Sequence, residues 1–491
     1  MNPSVVALVV ALPLLAAFLL PLVPGSARRV VGPLVLLVLT GIGMRLWDVA
    51  SVAPVVLAVG DFLPPLGIVF YVDSVAALFV LAVALLCLLF WPWAGEGEHL
   101  DRKQSLTLIL AAACGGLAVS GDLFNVYVFY ELAAVASYGL AAGGRGAAGQ
   151  VATFRYVILG SLGSLLALFG ITLVYFMTGT VNLAHLAELA PKALVGVPGL
   201  AAFLLILLGL GVKAELFLVN AWAPEVYATA ETRVSALLAG LVSKLALLVL
   251  VRLLVLVFPL PGTHEALLVL GLLGMLTGEL AAYKARDVRR MLAWSSIGQL
   301  GAAFMAFSVP GDAGLVAGIA IALHHMLVKP ALFLLAGRWG GSLGRIAGAA
   351  RRSPLGAVLF VLFALSLLGV PPLPGFWAKY LLLSGLAGQP GGLWWLGGLV
   401  VLLTTVVEAV YLFRVIGALY SRDEGSVAAD QSATAVAGSG MLAAVLLVIA
   451  LSAPVLAGTL DRMAVQMGDV DGYVTRVLTP PAPAVPIGVA P

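Results

Sequence analysis

The stretch Leu204–Pro224, LLILLGLGVKAELFLVNAWAP, poses the problem that the fold has to solve. It opens as an apolar run, then sets Lys213 and Glu215 where a membrane helix should be most apolar, and closes on Pro224. In a soluble chain such a run would be a buried core helix. The rest of the sequence excludes that: of 491 residues, 62% are hydrophobic and 10% charged, against about 25% charged in a soluble globular chain. So few charges cannot cover a water-facing surface, whereas a lipid-facing surface wants none. The expected fold class is an all-α integral membrane protein, with the lipid bilayer as its solvent.

Working outward from Leu204, a membrane helix needs about 20 mostly apolar residues, and about fourteen such segments follow one another. Their cores fall at 4–23, 30–48, 69–92, 105–120, 123–142, 152–177, 199–222, 233–258, 265–284, 290–309, 313–337, 355–387, 391–420 and 436–459. The first run lacks a basic start and a small-residue cleavage site, so it reads as a span rather than a signal peptide. Lys and Arg concentrate in the odd-numbered connections: Arg28 and Arg29, Arg102 and Lys103, Arg145, Arg233, Lys284 to Arg290, Arg338 to Arg352, and Arg422. By the positive-inside rule those connections are cytoplasmic and both termini face outward, which suits a multi-pass protein of a prokaryotic inner membrane.

Two segments are interrupted. The seventh passes through Gly209, Gly211 and Lys213 to Pro224, and the twelfth carries Pro371, Pro372, Pro374 and Gly375 just before Lys379. Proline removes a backbone donor, and a broken helix is tolerated at membrane depth only inside protein or beside a wet cavity. Corresponding breaks in two halves of a chain mark a structural repeat with functional sites at the breaks. The expected organisation is an N-terminal three-helix segment at 1–104, a first five-helix repeat at 105–258, a second at 265–420, a last helix at 436–460, and a tail at 461–491. That tail, ending in Pro480, Pro481, Pro483 and Pro486, reads as an unpacked terminus.

The net charge of +3 is spread thinly, so no basic stripe for nucleic acid is present. Cys87 and Cys114 lie in apolar runs without metal or disulfide spacing. No nucleotide-binding glycine pattern or serine elbow occurs, so neither a cofactor nor a metal is expected, and any coupled chemistry belongs to other subunits.

Of seven lysines, Lys213, Lys244, Lys329 and Lys379 sit inside apolar segments. A central lysine costs roughly 2.5–3.5 kcal/mol on insertion scales. One lysine could snorkel to an interface, but four together call for a function. A partly desolvated lysine exchanges its proton closer to neutrality, so the four read as proton relay sites. Glu131, within the fifth span, is the acidic counterpart and needs a partner or a proton. Its partner is Lys213 or Lys244, and spacing does not choose between them. His324 and His325 precede Lys329, and His325 shares its helix face, a pattern that suits a proton shuttle. Glu215 and Glu408 are deeper than Glu279, Arg45, Arg155, Arg252 and Arg414, for which interfacial anchoring is the expectation.

From Val72 to Arg414 the chain resembles the antiporter-like proton-translocating subunits shared by respiratory complex I, membrane-bound hydrogenases and Mrp-type cation/proton antiporters. The resemblance rests on ordered motifs: Phe124 to Glu131, Gly211 to Ala214, Leu241 to Lys244, Asp287 to Gly301, His324 to Phe333, and Gly369 to Phe376 before Lys379. It implies fourteen core helices, two inverted five-helix repeats with broken helices, and a hydrated polar axis at mid-membrane. Carried over by position, Glu131 and Lys213 match the family's glutamate/lysine pair, Lys244 its bridging lysine, and Lys379 the terminal lysine, with His325 and Lys329 in the linking helix. Within the family the chain looks most like the D-type subunit of an Mrp antiporter.

The resemblance thus implies a proton-translocating subunit of a multi-subunit cation/proton antiporter. Its partners would be protons, Na+ or K+ through the complex, and other membrane subunits. The alternative it leaves open is a proton-pumping membrane subunit of a complex I-like redox complex. The chain departs from the pattern at Asn220 and Tyr227, where relatives commonly have histidine, and at Glu231, where proline is common, so the centre of the path carries over better than its entrance.

Overall fold

The structure, a computed structural model, describes residues 2–93, 97–144, 146–422 and 433–479. The N-terminal part comprises α1 (Leu8–Leu19), α2 (Gly25–Ala50), a ribbon of β1 (Val55–Ala58) and β2 (Val69–Val72), α3 (Ser74–Leu89) and α4 (Gly97–Val119). Then come α5 (Leu123–Ala141), α6 (Gly146–Thr178), α7 (Leu183–Ala193), α8 (Gly196–Gly211), α9 (Ala223–Thr229), α10 (Thr232–Leu237) and α11 (Ser243–Leu256). The second half runs through α12 (Thr263–Lys284), α13 (Val288–Ser308), α14 (Asp312–Trp339), α15 (Ala349–Arg352), α16 (Pro354–Leu368), α17 (Pro374–Ala387) and α18 (Gly392–Leu419). The C-terminal part is α19 (Ala433–Leu451), α20 (Ala453–Gly468) and α21 (Val470–Leu478).

Every expected membrane segment falls on a helix or a pair of helices. Among the described residues, nine helices are long and apolar enough to cross a membrane by length and composition, and Ser74–Leu89, Gly196–Gly211 and Pro354–Leu368 are shorter apolar helices. One difference in detail has a local cause, and the two interrupted segments are broken as expected. The third segment begins as β2, which pairs antiparallel with β1 (Val55 opposite Val72) before Asp73 caps α3 through Ala76 N. The seventh and twelfth segments are each two helices, parted at 212–222 and 369–373.

Ion pairs sort the helix ends onto two faces. Arg28 pairs with Asp101, Lys103 with Glu231, and Arg290 with Glu225 (2.7 Å), which joins the first, third, seventh and ninth connections. The opposite ends meet where Arg252 grips Asp73 with 2.7 Å bonds to both carboxylate oxygens and donates to Ala118 O. The connections rich in Lys and Arg therefore lie together, as the charge alternation required. Arg145 lies outside the described residues.

The outer helices expose apolar side chains such as Phe18, Leu34, Phe154, Phe169, Leu402 and Val448, the surface that lipid tails demand. The run 234–254 is fully buried, and most of α13 and α14 is too. Close approach of α12 and α13 depends on glycine. A Cβ on Gly301 would stand 2.4 Å from Met275 N, and one on Gly278 2.4 Å from Gly298 N, so the two backbones meet through small residues as membrane helices commonly do.

The expected unpacked tail is corrected. After a break at Ser452 the chain forms α20 and α21, which bury Met463, Ala464, Met467, Tyr473 and Val477. Gln466 accepts from Ser74 N and Oγ and donates to Ala50 O, while Tyr473 packs on Tyr71 with ring centroids 4.3 Å apart. These helices are amphipathic and short, so a scan for apolar runs passes over them. The prolines Pro480, Pro481, Pro483 and Pro486 lie outside the described residues.

Candidate functional site

Lys213 sits just past the C-terminal end of α8, in the first break. It is 1% exposed, and its Nζ has no hydrogen-bond partner. Instead it faces aromatic rings, 4.3 Å from the centroid of Tyr130, 5.3 Å from Tyr138 and 5.8 Å from Tyr156. The rings are fixed from several sides. The Tyr130 hydroxyl donates to Gly209 O (2.9 Å), Tyr156 stacks on Trp222 (3.9 Å), and Trp222 Nε1 donates to Val212 O (2.8 Å). The π faces stabilise the cation without holding its proton. Glu131, half-buried on α5, acts electrostatically on Lys213 but makes no hydrogen bond to it, and its Oε1 is buried without a partner. Of the two lysines left open by the sequence, the structure sets Lys213 against Glu131 and Lys244 against Glu215.

Lys244 follows a π-type turn, Leu238–Val242, whose Gly240 lies so close to Pro330 of α14 that a Cβ would stand 2.3 Å from the proline ring. Its Nζ donates to Ala239 O and to Ser243 Oγ (3.1 Å) and is wholly buried. A π turn leaves backbone carbonyls out of the regular ladder, and one of them solvates the ammonium here. His325, 1% exposed, has neither ring nitrogen bonded and lies within electrostatic range of both Lys244 and Lys329. His324 points elsewhere, with Nε2 2.9 Å from Ser366 Oγ on α16.

Lys329 donates to Ser295 Oγ (2.6 Å). The Tyr411 hydroxyl lies 2.7 Å from that oxygen and donates to Glu279 Oε2 (2.8 Å). Lys379 forms an ion pair with Glu408 at 2.7 Å and donates to Thr405 Oγ1 (3.2 Å) and Leu368 O (3.4 Å), while Gln299 Nε2 holds the other Glu408 oxygen at 2.8 Å. Leu368 ends α16, so its carbonyl has no intrahelical partner and attracts a cation. Lys213 follows the C-terminal end of α8, and Lys379, from α17, brings its ammonium to the C-terminal end of α16, so each break sets a half-helix C-terminus beside a lysine.

The structure corrects the expectation for Glu279 and Arg252. Neither is an interfacial anchor. Glu279 is fully buried beside Gly298, where a Cβ would stand 2.3 Å from its Oε1, and Arg252 is 7% exposed in its pair with Asp73. Room for Glu279 exists only because the facing helix carries glycine, a signal that one helix read alone does not give. The departures at the first break also gain a role: Tyr227 donates to Glu215 Oε1 at 2.6 Å, and Asn220 Nδ2 donates to Glu215 O at 3.4 Å.

Buried polar atoms without a protein partner collect along this row: Glu131 Oε1, Lys213 Nζ, Glu215 Oε2, Ser296 Oγ, both nitrogens of His325, and Glu279 Oε1. Each costs about 1–3 kcal/mol, and a fold has no structural reason to line them up. The carboxylates, lysine and histidine among them are groups able to take up or release a proton.

The family model described as "NADH:quinone oxidoreductase/Mrp antiporter, TM" matches residues 120–407, which contain every lysine and carboxylate of the row except Glu408. The N subunit of NADH-quinone oxidoreductase from Desulforudis audaxviator is 35% identical over 373 residues, 73% of this chain and 74% of that protein. The D-type subunit of the Na(+)/H(+) antiporter from Bacillus subtilis is 31% identical over 344 residues, 67% and 69% of the two chains. A component of the membrane-bound sulfane sulfur reductase, an archaeal respiratory membrane complex, superposes with a TM-score of 0.90 at 31% identity, covering 97% of this chain and 100% of its own. The protein belongs to the NADH:quinone oxidoreductase/Mrp antiporter family of membrane subunits.

Proposed function

We propose that this chain is the proton-translocating subunit of a multi-subunit cation (Na+)/proton antiporter, with Na+ or K+ exchanged through the complex. Its protons move along Glu131, Lys213, Lys244, His325, Lys329 and Lys379, with His324 as a side arm at Ser366. The observation that carries the reading is the series of buried and half-buried titratable groups, with a broken helix near each end and many unpartnered polar atoms. The driving term is electrical: one charge moved across 100 mV is worth about 2.3 kcal/mol, comparable to a shift of one to two pKa units in a buried lysine. A prokaryotic inner-membrane location follows from this reading, with the odd-numbered connections cytoplasmic and both termini outside.

The two halves divide between α11 and α12, with Lys329 on α14 linking them. Likeness to the oxidoreductase N subunit and to the sulfane sulfur reductase component favours a second reading, a proton-pumping membrane subunit of a redox complex. Isolation of the native complex separates the two: small membrane subunits alone support the antiporter, and iron-sulfur or flavin subunits support the redox complex. The path itself is tested by Lys213→Ala and Glu131→Ala in the assembled complex in vesicles. Both should lose proton-coupled flux, and normal flux in both would refute the path.

A further inference from the structure

Glu215, which the sequence marks as a deep charge but the family pattern gives no role, has the properties of a relay site. It is 1% exposed in the first break, two residues beyond Lys213, and its backbone has φ +55, a left-handed conformation that a non-glycine residue rarely adopts. One oxygen is held by the Tyr227 hydroxyl at 2.6 Å. The other, Oε2, is buried without a hydrogen bond of good geometry, and Ser296 on α13 lies beside the carboxylate, close enough for its hydroxyl to act on it. Lys244 on α11, Lys329 on α14 and Tyr156 on α6 are the other titratable groups whose charge reaches it. Three helices from both halves thus aim ionisable groups at one carboxylate.

We propose that Glu215 is a proton-binding site joining Lys244 to Lys329, with Tyr227 as its positioning residue. This rests on the proton path proposed above. Lys244 as ammonium gives a proton to Glu215 by way of bridging water, since the two are not hydrogen-bonded: an N–H bond breaks and an O–H bond forms at Oε2. That O–H bond then breaks as Lys329, as amine, gains an N–H bond. One proton and one positive charge have moved between the halves, and Glu215 is again a carboxylate. Tyr227 keeps Oε1 occupied throughout, so the free oxygen is the one that exchanges. The tyrosine that stands where relatives commonly have histidine is therefore part of a substituted relay rather than a gap in one.

The test measures proton flux in vesicles containing the assembled complex, with Glu215→Gln, Glu215→Asp, Tyr227→Phe and, as a reference, Lys213→Ala. Glu215→Gln should lower flux about a hundredfold without lowering the unfolding temperature. Glu215→Asp should recover part of that flux, and Tyr227→Phe should shift the pH profile of transport. Infrared difference spectra across a pH titration should show a buried carboxylic acid band that moves in Glu215→Asp and vanishes in Glu215→Gln. Normal flux in Glu215→Gln with flux lost in Lys213→Ala would overturn the proposal and leave the path standing. Normal flux in both would overturn the path and this proposal with it. If Glu215→Gln does not assemble, the spectra of the Glu215→Asp complex decide, and a carboxyl band unchanged from the native protein overturns the proposal.

Discussion

The Lys379–Glu408 pair allows stability and transport to be separated. Their side chains are 14% and 1% exposed and meet at 2.7 Å. Lys379→Met removes the cation and leaves Glu408 with Gln299 alone, through the 2.8 Å bond to Oε1. Removing one partner of a buried pair costs about 3–5 kcal/mol, and the surviving Gln299 bond puts this variant near the lower end, about 3 kcal/mol. Glu408→Gln should cost less, because Lys379 keeps Thr405 Oγ1 and the Leu368 carbonyl and lies nearer the surface. The double variant Lys379→Met/Glu408→Gln removes both charges, and such replacements are often neutral. The expected coupling is therefore about 3 kcal/mol or more in an unfolding cycle on the purified complex. Proton flux behaves differently: all three variants should lose it, because the terminal relay site is gone or held by no counter-charge. If the two single losses simply add in the double variant, the pair is not energetically coupled. If the double variant transports normally, Lys379 does not end the path.

Around Lys213, Tyr130→Leu removes the nearest π face and should cost the cation about 2 kcal/mol, which lowers flux. Tyr130→Phe keeps the ring and should transport much better, and equal flux in the two would exclude a role for the ring face. Gly301→Ala places a Cβ 2.4 Å from Met275 N and 2.5 Å from Gly271 O, both rigid backbone, so a loss of about 1–3 kcal/mol should appear in unfolding of the complex. Gly344→Ala, with nothing within 4 Å of the added carbon, should be silent in the same assay. Arg252→Met strands Asp73 in its buried site and should destabilise by about 3–5 kcal/mol, while flux per assembled complex stays normal because that pair lies off the path.

Lys213, Lys244, Lys329, Lys379 and Glu131 were legible in the sequence because a charge in an apolar run is costly whatever surrounds it. The breaks were legible for the same reason, since proline and glycine act on the local backbone. Glu408 already read as deep, but Glu279 was harder. Whether a carboxylate near a helix end reaches water depends on the facing helix, and here Gly298, Gln299 and Tyr411 decide it. Pairing was also hidden, because the choice of Lys213 rather than Lys244 for Glu131 is made by the tertiary approach of α5 to the end of α8, where the Tyr130 hydroxyl reaches Gly209 O. Tyr227 read as a missing histidine, yet its hydroxyl reaches a carboxylate twelve residues before it. The C-terminal helices escaped because their burial comes from one face, not from continuous hydropathy.

The two halves hold their charges differently, and that difference bears on how the row could move protons. In the second half both lysines of the row are engaged, Lys329 with Ser295 and Lys379 with Glu408. In the first half Lys213 rests on aromatic rings and Glu131 stays apart from it. At an effective dielectric of about 20, two charges 2.7 Å apart attract by about 6 kcal/mol before desolvation. Desolvation opposes most of that in a buried pair, so the open and closed arrangements differ by only a few kcal/mol. A potential worth about 2.3 kcal/mol per charge per 100 mV, or a proton arriving on Glu215, is then enough to exchange them. An engaged pair in one half and a separated pair in the other is the arrangement in which closing the first can open the second, because the lysines between them are linked by electrostatics and not by fixed hydrogen bonds.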